Sequence, residues 1–456
     1  MKNVTRYQNK KVLVLGLALS GFHAAKLLAK LGAYVTVNDS KKLDDNPDAQ
    51  ELIASGIRVI SGHHPVELLD EAFAFIIKNP GIPYNNPMVE RALELKMPIF
   101  TEVEVAAEIL EASLIGVTGT NGKTTTTAMI YDLLSENRSK GQAYKAGNIG
   151  IPAAEVAQIA TENDDVVLEL SSFQLMGIDL LRPHIAIITN LSEAHLDYHG
   201  TRAEYVKAKW RITENQTEED YLILNWEQEE LRELSKQTKA QIVPFSITEV
   251  LTNGAYVKDK KIYFQEEMVM PVASLNVPGQ HNLENALAAI AVAKLKGVSN
   301  TTIEQVLQSF GGVKHRLQFV QEVAGRKFYN DSKSTNIVAA KTALNSFPKQ
   351  AIVLIAGGLD RGNEFDDLIP DLTGIKALLV FGEAKHKLEK AAKKAGIQTI
   401  IQTENPATAV KDSMKISEAG DIILLSPACA SWDQYKNFEL RGDHYIQAIR
   451  EIGDNE

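Results

Sequence analysis

With 456 residues the chain is too long for a single compact core, and domains of roughly 100–200 residues predict several of them. Hydrophobic residues make up 45% and charged residues 23%, a balance that excludes wholesale disorder. The single cysteine, Cys429, excludes an internal disulfide, and the net charge of −10 disfavours a nucleic-acid partner. No apolar run approaches the roughly 18 residues of a membrane span. We therefore expect a cytoplasmic protein without membrane insertion.

Three blocks of the chain alternate short apolar, β-branched runs with helix-patterned segments, which predicts three parallel sheets covered by helices. The stretch 227–277 has a weaker pattern, apart from a hairpin at 256–264, and is interpreted as an insertion in the second block. A helix is predicted at 283–296. The predicted strands are 11–15, 34–37, 58–60 and 73–77, then 114–117, 166–170, 185–189 and 221–225, and finally 351–355, 377–381 and 421–425.

A glycine-containing turn, Gly16-Leu-Ala18-Leu-Ser-Gly21, follows the first predicted strand, and Asp39 follows the second. The segment resembles a dinucleotide-binding fingerprint, but Ala18 replaces the glycine that lets a pyrophosphate approach the backbone. A nucleotide or sugar-nucleotide ligand other than NAD is therefore favoured. A nicotinamide cofactor and a purely structural turn remain as alternatives.

The segment Gly116-Val-Thr-Gly-Thr-Asn-Gly-Lys123-Thr124 matches the P-loop pattern between a strand and a helix. In such loops backbone N–H groups cradle phosphates, the lysine reaches the outer phosphates and the hydroxyl ligates Mg²⁺. The competing interpretation is an incidental glycine turn, which the strand–loop–helix context argues against.

Polar residues follow several other strands, where ligands of open α/β sheets collect. Glu169 ends an apolar strand and is a candidate Mg²⁺ ligand, although an ordinary strand-end acid is the alternative. His195 follows the next parallel strand. In the third block, Lys333 and several hydroxyls follow two strands, a pattern that suits a carboxylated substrate or, alternatively, a pair of surface turns.

Six segments occur in an order that resembles the Mur ligase family over essentially the whole chain. They are Gly119-Thr-Asn-Gly-Lys-Thr-Thr125, Gly147-Asn-Ile-Gly150, Leu168-Glu-Leu-Ser-Ser-Phe-Gln174, His195-Leu-Asp197, Gly279-Gln-His-Asn-Leu-Glu-Asn285 and His315-Arg316. Within that family, segments 331–336 and 426–438 look like the branch that adds D-glutamate.

The resemblance implies an α/β protein of three domains. A Rossmann-like N-terminal domain at 1–100 would bind the UDP moiety, and a P-loop ATPase-like domain with a parallel sheet at 101–312 would bind ATP. A Rossmann-like domain at 313–456 would bind the amino acid. The implied activity is that of an ATP-dependent, ADP-forming amide ligase of peptidoglycan precursor synthesis. It would add D-glutamate to UDP-N-acetylmuramoyl-L-alanine through an acyl phosphate, as a monomer that uses ATP and Mg²⁺.

The resemblance also implies the site residues. Lys123, Glu169, His195 and Lys209 would be catalytic, and Thr124, Glu169, His195 and Lys209 would hold Mg²⁺. The ATP contacts would be Gly119, Thr120, Asn121, Gly122, Lys123, Thr124, Thr125, Asn285, Arg316 and Asp331. The UDP-linked substrate would contact Ser20, Asp39, Ser40, Asn79, Pro80, Gly81 and Asn148, and D-glutamate would contact Lys333, Thr335, Ser431 and Phe438.

Lys209 matches a family lysine that is carbamylated by CO₂. Because it lies on a predicted helix, the alternative is a solvated cation. Three other functions compete with the D-glutamate ligase: a sister Mur or folylpolyglutamate ligase, a non-catalytic nucleotide switch, and an NAD-dependent dehydrogenase. The dehydrogenase is disfavoured by Ala18 and by the P-loop.

Overall fold

The computed structural model describes residues 1–43, 46–136 and 138–453. Contacts between residues divide the chain into two compact units, one formed by 1–274 with 284–307 and the other by 275–283 with the chain from 308 onward. Within the described residues, no helix is long and apolar enough to cross a membrane.

The N-terminal sheet of the first unit has five parallel strands in the order β3-β2-β1-β4-β5. Their buried faces are Val- and Ile-rich, as expected for a sheet covered on both sides. The strands are β1 (Lys11–Leu15), β2 (Tyr34–Asp39), β3 (Arg58–Ser61), β4 (Phe75–Lys78) and β5 (Ile99–Phe100). The helices are α1 (Leu19–Lys30), α2 (Pro47–Ala54), α3 (Pro87–Glu94) and α4 (Glu102–Ile109).

The central sheet of the same unit begins with β6 (Ser113–Thr118), β7 (Ala143–Gly147), β8 (Asp165–Glu169), β9 (Ile185–Ile188) and β10 (Tyr221–Asn225). It continues with β11 (Gln241–Ser246), β12 (Ala255–Lys258), β13 (Lys261–Phe264) and β14 (Glu267–Pro271). The strand order is β14-β13-β12-β11-β10-β9-β6-β8-β7, parallel from β7 to β12 and antiparallel beyond. The helices are α5 (Lys123–Ser135), α6 (Ala153–Val156), α7 (Ser172–Leu175), α8 (Leu196–His199), α9 (Arg202–Trp210), α10 (Glu229–Ser235), α11 (Gln280–Leu295) and α12 (Asn300–Ser309).

The stretch 227–277, interpreted from the sequence as an insertion in the second block, is part of the central sheet, and the hairpin predicted within it is confirmed. β11 pairs in parallel with β10, and the predicted hairpin, β12 with β13, extends the same sheet. The sequence pattern is weak here because β12, β13 and β14, at this end of the sheet, are short and only partly buried.

The N-terminal and central sheets share one hydrophobic core. It includes Leu27 of α1, Val103 of α4 and Val166 of β8, all buried. Glu104, also buried, accepts hydrogen bonds from the backbone N–H groups of residues 179, 180 and 181, at 2.9, 2.7 and 3.1 Å. Apolar packing and a buried carboxylate together fix the two sheets as one body.

The second unit contains a six-stranded sheet in the order β15-β16-β20-β17-β18-β19, in which only β15 is antiparallel to its neighbour. Buried cores cover both faces. The strands are β15 (Gln318–Val323), β16 (Arg326–Asn330), β17 (Ile352–Gly357), β18 (Ala377–Phe381), β19 (Thr399–Gln402) and β20 (Ile422–Leu425). The helices are α13 (Ile337–Leu344), α14 (Ile369–Leu372), α15 (Lys385–Lys394), α16 (Pro406–Ile416) and α17 (Phe438–Gly453).

The predicted α/β class with three helix-covered sheets is confirmed. The predicted strands 11–15, 221–225 and 377–381 coincide with β1, β10 and β18. The remaining predicted strands overlap observed ones with small shifts at their ends, and the predicted helix 283–296 overlaps α11.

Candidate active site

The P-loop connects β6 to α5, as its sequence predicts. Gly122 precedes α5 with φ +81°, and no described side chain caps the N-terminus of this helix. An uncapped helix N-terminus offers backbone N–H groups and a positive dipole end to a phosphate. The Lys123 amine donates hydrogen bonds to the carbonyl oxygens of Gly119 and Thr120, each at 2.9 Å.

Residues that follow β9 fix the shape of the loop. The Thr189 hydroxyl donates to the Asn121 carbonyl at 2.6 Å, and the Asn121 N–H donates to the Asn190 side-chain oxygen at 2.9 Å. The Tyr205 hydroxyl donates to the Thr120 side chain at 3.0 Å. None of the three contacting residues was predicted as part of the site, although Thr189 and Asn190 occupy the strand end at which ligands of α/β sheets collect.

Asn285, predicted to contact ATP, packs against the same loop from α11. Its side-chain oxygen accepts a hydrogen bond from the Thr126 hydroxyl at 3.2 Å. A Cβ atom added to Gly122 would collide with this oxygen. The close approach of loop and helix therefore requires glycine at position 122.

Glu169 ends β8 beside the P-loop strand, since it is the register partner of Val117. The side chain is buried, and one carboxylate oxygen accepts a hydrogen bond from the Asn148 amide at 3.0 Å. The other oxygen, Oε2, is buried without a hydrogen-bond partner in the part of the chain that the structure describes. An unpaired buried carboxylate oxygen is costly, and a cation would satisfy it. Glu169 therefore fits the predicted Mg²⁺ site.

Lys209 reaches the P-loop from α9. Its side chain is only 2% exposed, and its amine donates to the Gly119 carbonyl at 2.7 Å. Burial first, and then the charge of Lys123, lower the pKa of Lys209 to about 6, while Glu169 opposes the shift. The alternative of a solvated helical cation is therefore wrong, and much of the amine is neutral at neutral pH.

His195 has a left-handed backbone conformation, with φ +55°, immediately before α8. Its ring centre lies 5.0 Å from that of Phe173 and 6.2 Å from that of Tyr205, whose ring the Lys209 amine also approaches. Burial, followed by the charge of Lys209, lowers the pKa of His195. The neutral imidazole that results has the lone pair that a metal ligand needs.

The predicted Mg²⁺ residues do not form a complete protein cage. Across residues 1–43, 46–136 and 138–453, no three His, Cys, Asp or Glu side chains are grouped so that they could hold a metal ion. This is compatible with Mg²⁺, which is commonly held by one or two carboxylates together with substrate phosphates.

Six of the seven predicted contacts of the UDP-linked substrate lie at the carboxyl edge of the N-terminal sheet, whereas Asn148 follows β7 of the central sheet and bonds to Glu169. The Asn79 amide, after β4, donates to the Ser20 hydroxyl at 3.2 Å, and its oxygen accepts from the Gly81 N–H at 3.1 Å. The Asp39 carboxylate accepts the N–H groups of Leu17 and Lys41 at 2.7 and 2.8 Å. Ser40 follows directly, and Pro80 lies between Asn79 and Gly81.

In the second unit, Asp331 is buried at the end of β16. Its carboxylate accepts hydrogen bonds from the Leu317 N–H at 3.1 Å, from the Ser426 hydroxyl at 3.0 Å and from the Ser334 hydroxyl. Burial raises the pKa of Asp331 to about 6, although these hydrogen bonds and the charge of Arg316 lower it in part. Arg316, predicted with Asp331 as an ATP contact, therefore lies near it.

The residues predicted to bind the amino acid also lie beyond the carboxyl ends of strands of this sheet. The Lys333 amine lies 4.0 Å from the centre of the Phe438 ring, and the Thr335 N–H donates to the Lys333 carbonyl at 2.8 Å. Ser431 is buried after β20, and its carbonyl accepts from the Tyr435 N–H at 2.8 Å.

Arg441 of α17, which was not predicted as a site residue from the sequence, links the two segments that are predicted to bind the amino acid. The buried guanidinium donates to the Ser332 hydroxyl and carbonyl at 3.0 and 2.8 Å and to the Cys429 carbonyl at 3.0 Å. Burial lowers the pKa of Arg441 to about 10, which still leaves it charged at neutral pH. One cation thus fixes the loops that carry Lys333 and Ser431.

Comparison with known families agrees with this arrangement. Three family models match the chain: "Mur ligase MurD-like, N-terminal domain" at residues 10–101, "Mur ligase middle domain" at 117–293, and "Mur ligase, glutamate ligase domain" at 315–429. The chain belongs to the Mur ligase family. The family predicted from the sequence is therefore confirmed.

Relatives in this family match over nearly their whole length. The chain is 61% identical over 456 residues to the UDP-N-acetylmuramoylalanine–D-glutamate ligase of Enterococcus faecalis, covering 100% of both chains. It is 59% identical over 451 residues to the ligase of the same name from Enterococcus hirae, covering 99% of this chain and 98% of that one.

Solved structures of more distant proteins share the fold. The UDP-N-acetylmuramate-alanine ligase of Thermotoga maritima is 20% identical with a TM-score of 0.57, and the match covers 97% of this chain and 100% of that one. A MurF ligase from the same organism, solved in complex with ADP, is 17% identical with a TM-score of 0.56, covering 99% and 97%.

The contact between Gly122 and Asn285 gives a prediction. Gly122→Ala should lower ATP-dependent activity by roughly a hundredfold or more, because displaced loop amides no longer stabilise the transferring phosphoryl group. Gly297→Ala is the matched control, since Gly297 also has a positive φ, +76°, but its added Cβ meets nothing within 4 Å. Steady-state ATP hydrolysis linked to product formation measures both variants. Equal loss in the two variants would show that backbone strain alone, and not the Asn285 contact, explains the effect.

Proposed function

We propose that this chain is an ATP-dependent ligase that joins D-glutamate to UDP-N-acetylmuramoyl-L-alanine in peptidoglycan precursor synthesis. The observation that carries the proposal is the P-loop site, where a buried carboxylate with an open oxygen and a buried lysine flank the predicted phosphate position. The name of the relatives at 61% and 59% identity supports the substrates.

The chemistry follows from the weakness of a carboxylate as an acyl donor. Transfer of the γ-phosphoryl group of ATP to the alanine carboxylate forms an acyl phosphate and ADP. The amine of D-glutamate then attacks the acyl carbon, an amide bond forms, and inorganic phosphate leaves with one of the original carboxylate oxygens. The neutral attacking amine loses one proton in this step and keeps the other as the amide N–H.

The P-loop residues would bind the triphosphate. Amides of the segment Gly119–Thr125 and the α5 N-terminus would hold its phosphates, and Lys123 would exchange its bonds to loop carbonyls for bonds to phosphate oxygens. Asn285, Arg316 and Asp331 are proposed as further ATP contacts. ADP bound to the MurF ligase of Thermotoga maritima supports the choice of nucleotide.

Thr124, Glu169 and His195 would hold Mg²⁺. Glu169 Oε2, which is buried and has no hydrogen-bond partner among the described residues, and the His195 imidazole would supply donor atoms. When bound, Mg²⁺ would neutralise the charge that develops on the transferring phosphoryl group.

Two further groups of residues would orient the other substrates. Ser20, Asp39, Ser40, the turn Asn79-Pro80-Gly81 and Asn148 are proposed for the UDP-linked substrate. Lys333, Thr335, Ser431 and Phe438 are proposed for D-glutamate, in which Lys333 would bind a carboxylate through a charge-assisted hydrogen bond.

The proposed domain division is 1–100, 101–312 and 313–456. The three matched family segments, which begin at 10, 117 and 315, support it. We also propose that the protein acts as a monomer in the cytoplasm, where ATP and the UDP-linked substrate are available.

We propose in addition that Lys209 is carbamylated. Carbamylation needs a neutral amine, and burial with the charge of Lys123 lowers the pKa of Lys209 to about 6. The product is an anion whose oxygens are ligands of the kind that Mg²⁺ prefers. A protonated Lys209 would instead repel both Lys123 and the metal.

Product analysis tests the assigned substrates. With ATP, Mg²⁺, UDP-N-acetylmuramoyl-L-alanine and a pool of amino acids, mass spectrometry should identify the D-glutamate adduct together with ADP. A non-catalytic nucleotide switch would give no adduct, and a sister ligase would select another amino acid. Comparable kcat/KM values for L- and D-glutamate would contradict the proposed selectivity, because mismatched polar groups in a buried site typically cost several powers of ten.

Substitution of Lys209 tests the carbamate. Lys209→Ala should lose most activity, and acetate should restore part of it by supplying oxygen ligands in the vacated space. Lys207→Ala is the control, since Lys207 lies on the same helix with its side chain 74% exposed, and it should remain active. The measurement is product formation against acetate concentration. Full activity of Lys209→Ala without acetate would refute the proposed role.

A further inference from the structure

Lys78, the last residue of β4, is a buried cation that contacts no carboxylate among the described residues. Its side chain has 0% exposure. Every acceptor that its amine contacts is neutral, and no carboxylate of the described residues lies within 4.0 Å of it. Burial lowers the pKa of Lys78 to about 8, so the amine remains mostly charged at neutral pH.

The Lys78 amine organises the turn that follows it. It donates to the carbonyl oxygens of Asn79, Pro80 and Ile82 at 3.2, 3.4 and 2.7 Å. Three carbonyl groups from four consecutive residues therefore converge on one ammonium group. This is the turn from which the Asn79 side chain reaches Ser20.

The fourth acceptor connects this turn to the central sheet. The amine donates to the Tyr198 hydroxyl at 3.0 Å, and that hydroxyl donates in turn to the Ile82 carbonyl at 2.9 Å. Tyr198 lies in α8, which His195 precedes directly. The network thus joins the substrate turn to the segment that carries a proposed metal ligand.

The arrangement is energetically unusual. A buried ammonium group loses its hydration, and carbonyl dipoles replace only part of it, so buried lysines are normally paired with carboxylates. This costly buried charge lies directly behind the turn Asn79-Pro80-Gly81, which is proposed to contact the UDP-linked substrate. That substrate carries a diphosphate and a carboxylate, and the positive charge of Lys78 would favour its binding.

We propose that Lys78 is a positioning residue for the UDP-linked substrate, which fixes the Asn79–Ile82 turn through its carbonyl groups and supplies a positive charge behind it. Lys78 does not touch the substrate in this proposal and acts through the turn and through its field. The inference rests on the proposed function, because that function identifies the anionic ligand.

Direct binding of UDP-N-acetylmuramoyl-L-alanine tests the inference. Isothermal titration calorimetry without ATP compares the wild type with Lys78→Met, which removes both charge and donors, and with Lys78→Gln, which keeps donors without charge. Both variants should raise the Kd by about tenfold or more, the size typical of one lost charge-assisted interaction. Binding of ATP with Mg²⁺ should not change, since the P-loop is built from other residues.

Two further variants separate positioning from general stability. Ile76→Ala, two residues earlier in the same strand and also buried, should lower the melting temperature without changing the Kd of the UDP-linked substrate. Tyr198→Phe should raise that Kd by less than Lys78→Met, because it removes one hydroxyl and no charge.

The outcomes are distinct. An unchanged Kd in Lys78→Met would overturn the inference, and a wild-type Kd in Lys78→Gln would overturn the role of the charge. Equal losses of affinity for ATP and for the UDP-linked substrate would show that Lys78 supports the fold in general and does not position this substrate. Failure of the wild type to bind or convert this substrate would instead contradict the proposed function.

Discussion

Buried side-chain amines that hold loop carbonyl groups are the constraint on which the candidate site depends. Lys209 donates to the Gly119 carbonyl of the P-loop, and Lys78 donates to three carbonyls of the substrate turn. A buried amine in such a position fixes the surrounding backbone, because moving a carbonyl away leaves a buried polar group unsatisfied. Lys78 remains mostly charged and also makes its surroundings favourable for anions. Both amines therefore set the shape of the loops, and Lys78 also favours an anionic ligand.

In the second unit a buried arginine, in place of a lysine, fixes the loops of the candidate site. Arg441 crosses from α17 to the segments after β16 and β20, and its planar guanidinium satisfies acceptors in both at once. Asp331 is buried nearby among hydroxyl and N–H donors. A single lysine could not bridge these acceptors with the same geometry. The candidate amino-acid residues thus depend on a side chain that belongs to none of the matched motifs.

The local sequence pattern predicted most of the buried strands and the P-loop. Strands buried on both faces give continuous apolar runs, and the P-loop has a spacing that few other structures share, so both could be identified. The edge strand β14 could not, because its half-exposed face gives no such run, whereas the hairpin of β12 and β13 was predicted. The buried roles of Lys78 and Arg441 were not predicted for another reason. A charged residue in a strand or helix predicts solvent exposure, and its burial depends on contacts with residues distant in sequence, such as Tyr198 for Lys78.

The central claim is that the candidate site transfers the γ-phosphoryl group of ATP to the carboxylate of the UDP-linked substrate. The most direct measurement uses UDP-N-acetylmuramoyl-L-alanine with ¹⁸O in both oxygens of the alanine carboxylate, followed by mass analysis of all products after turnover with ATP and D-glutamate. Formation of an acyl phosphate requires one ¹⁸O atom in the released inorganic phosphate and one in the amide carbonyl. Label in AMP, with release of pyrophosphate, would show that the carboxylate is adenylated and would contradict the account.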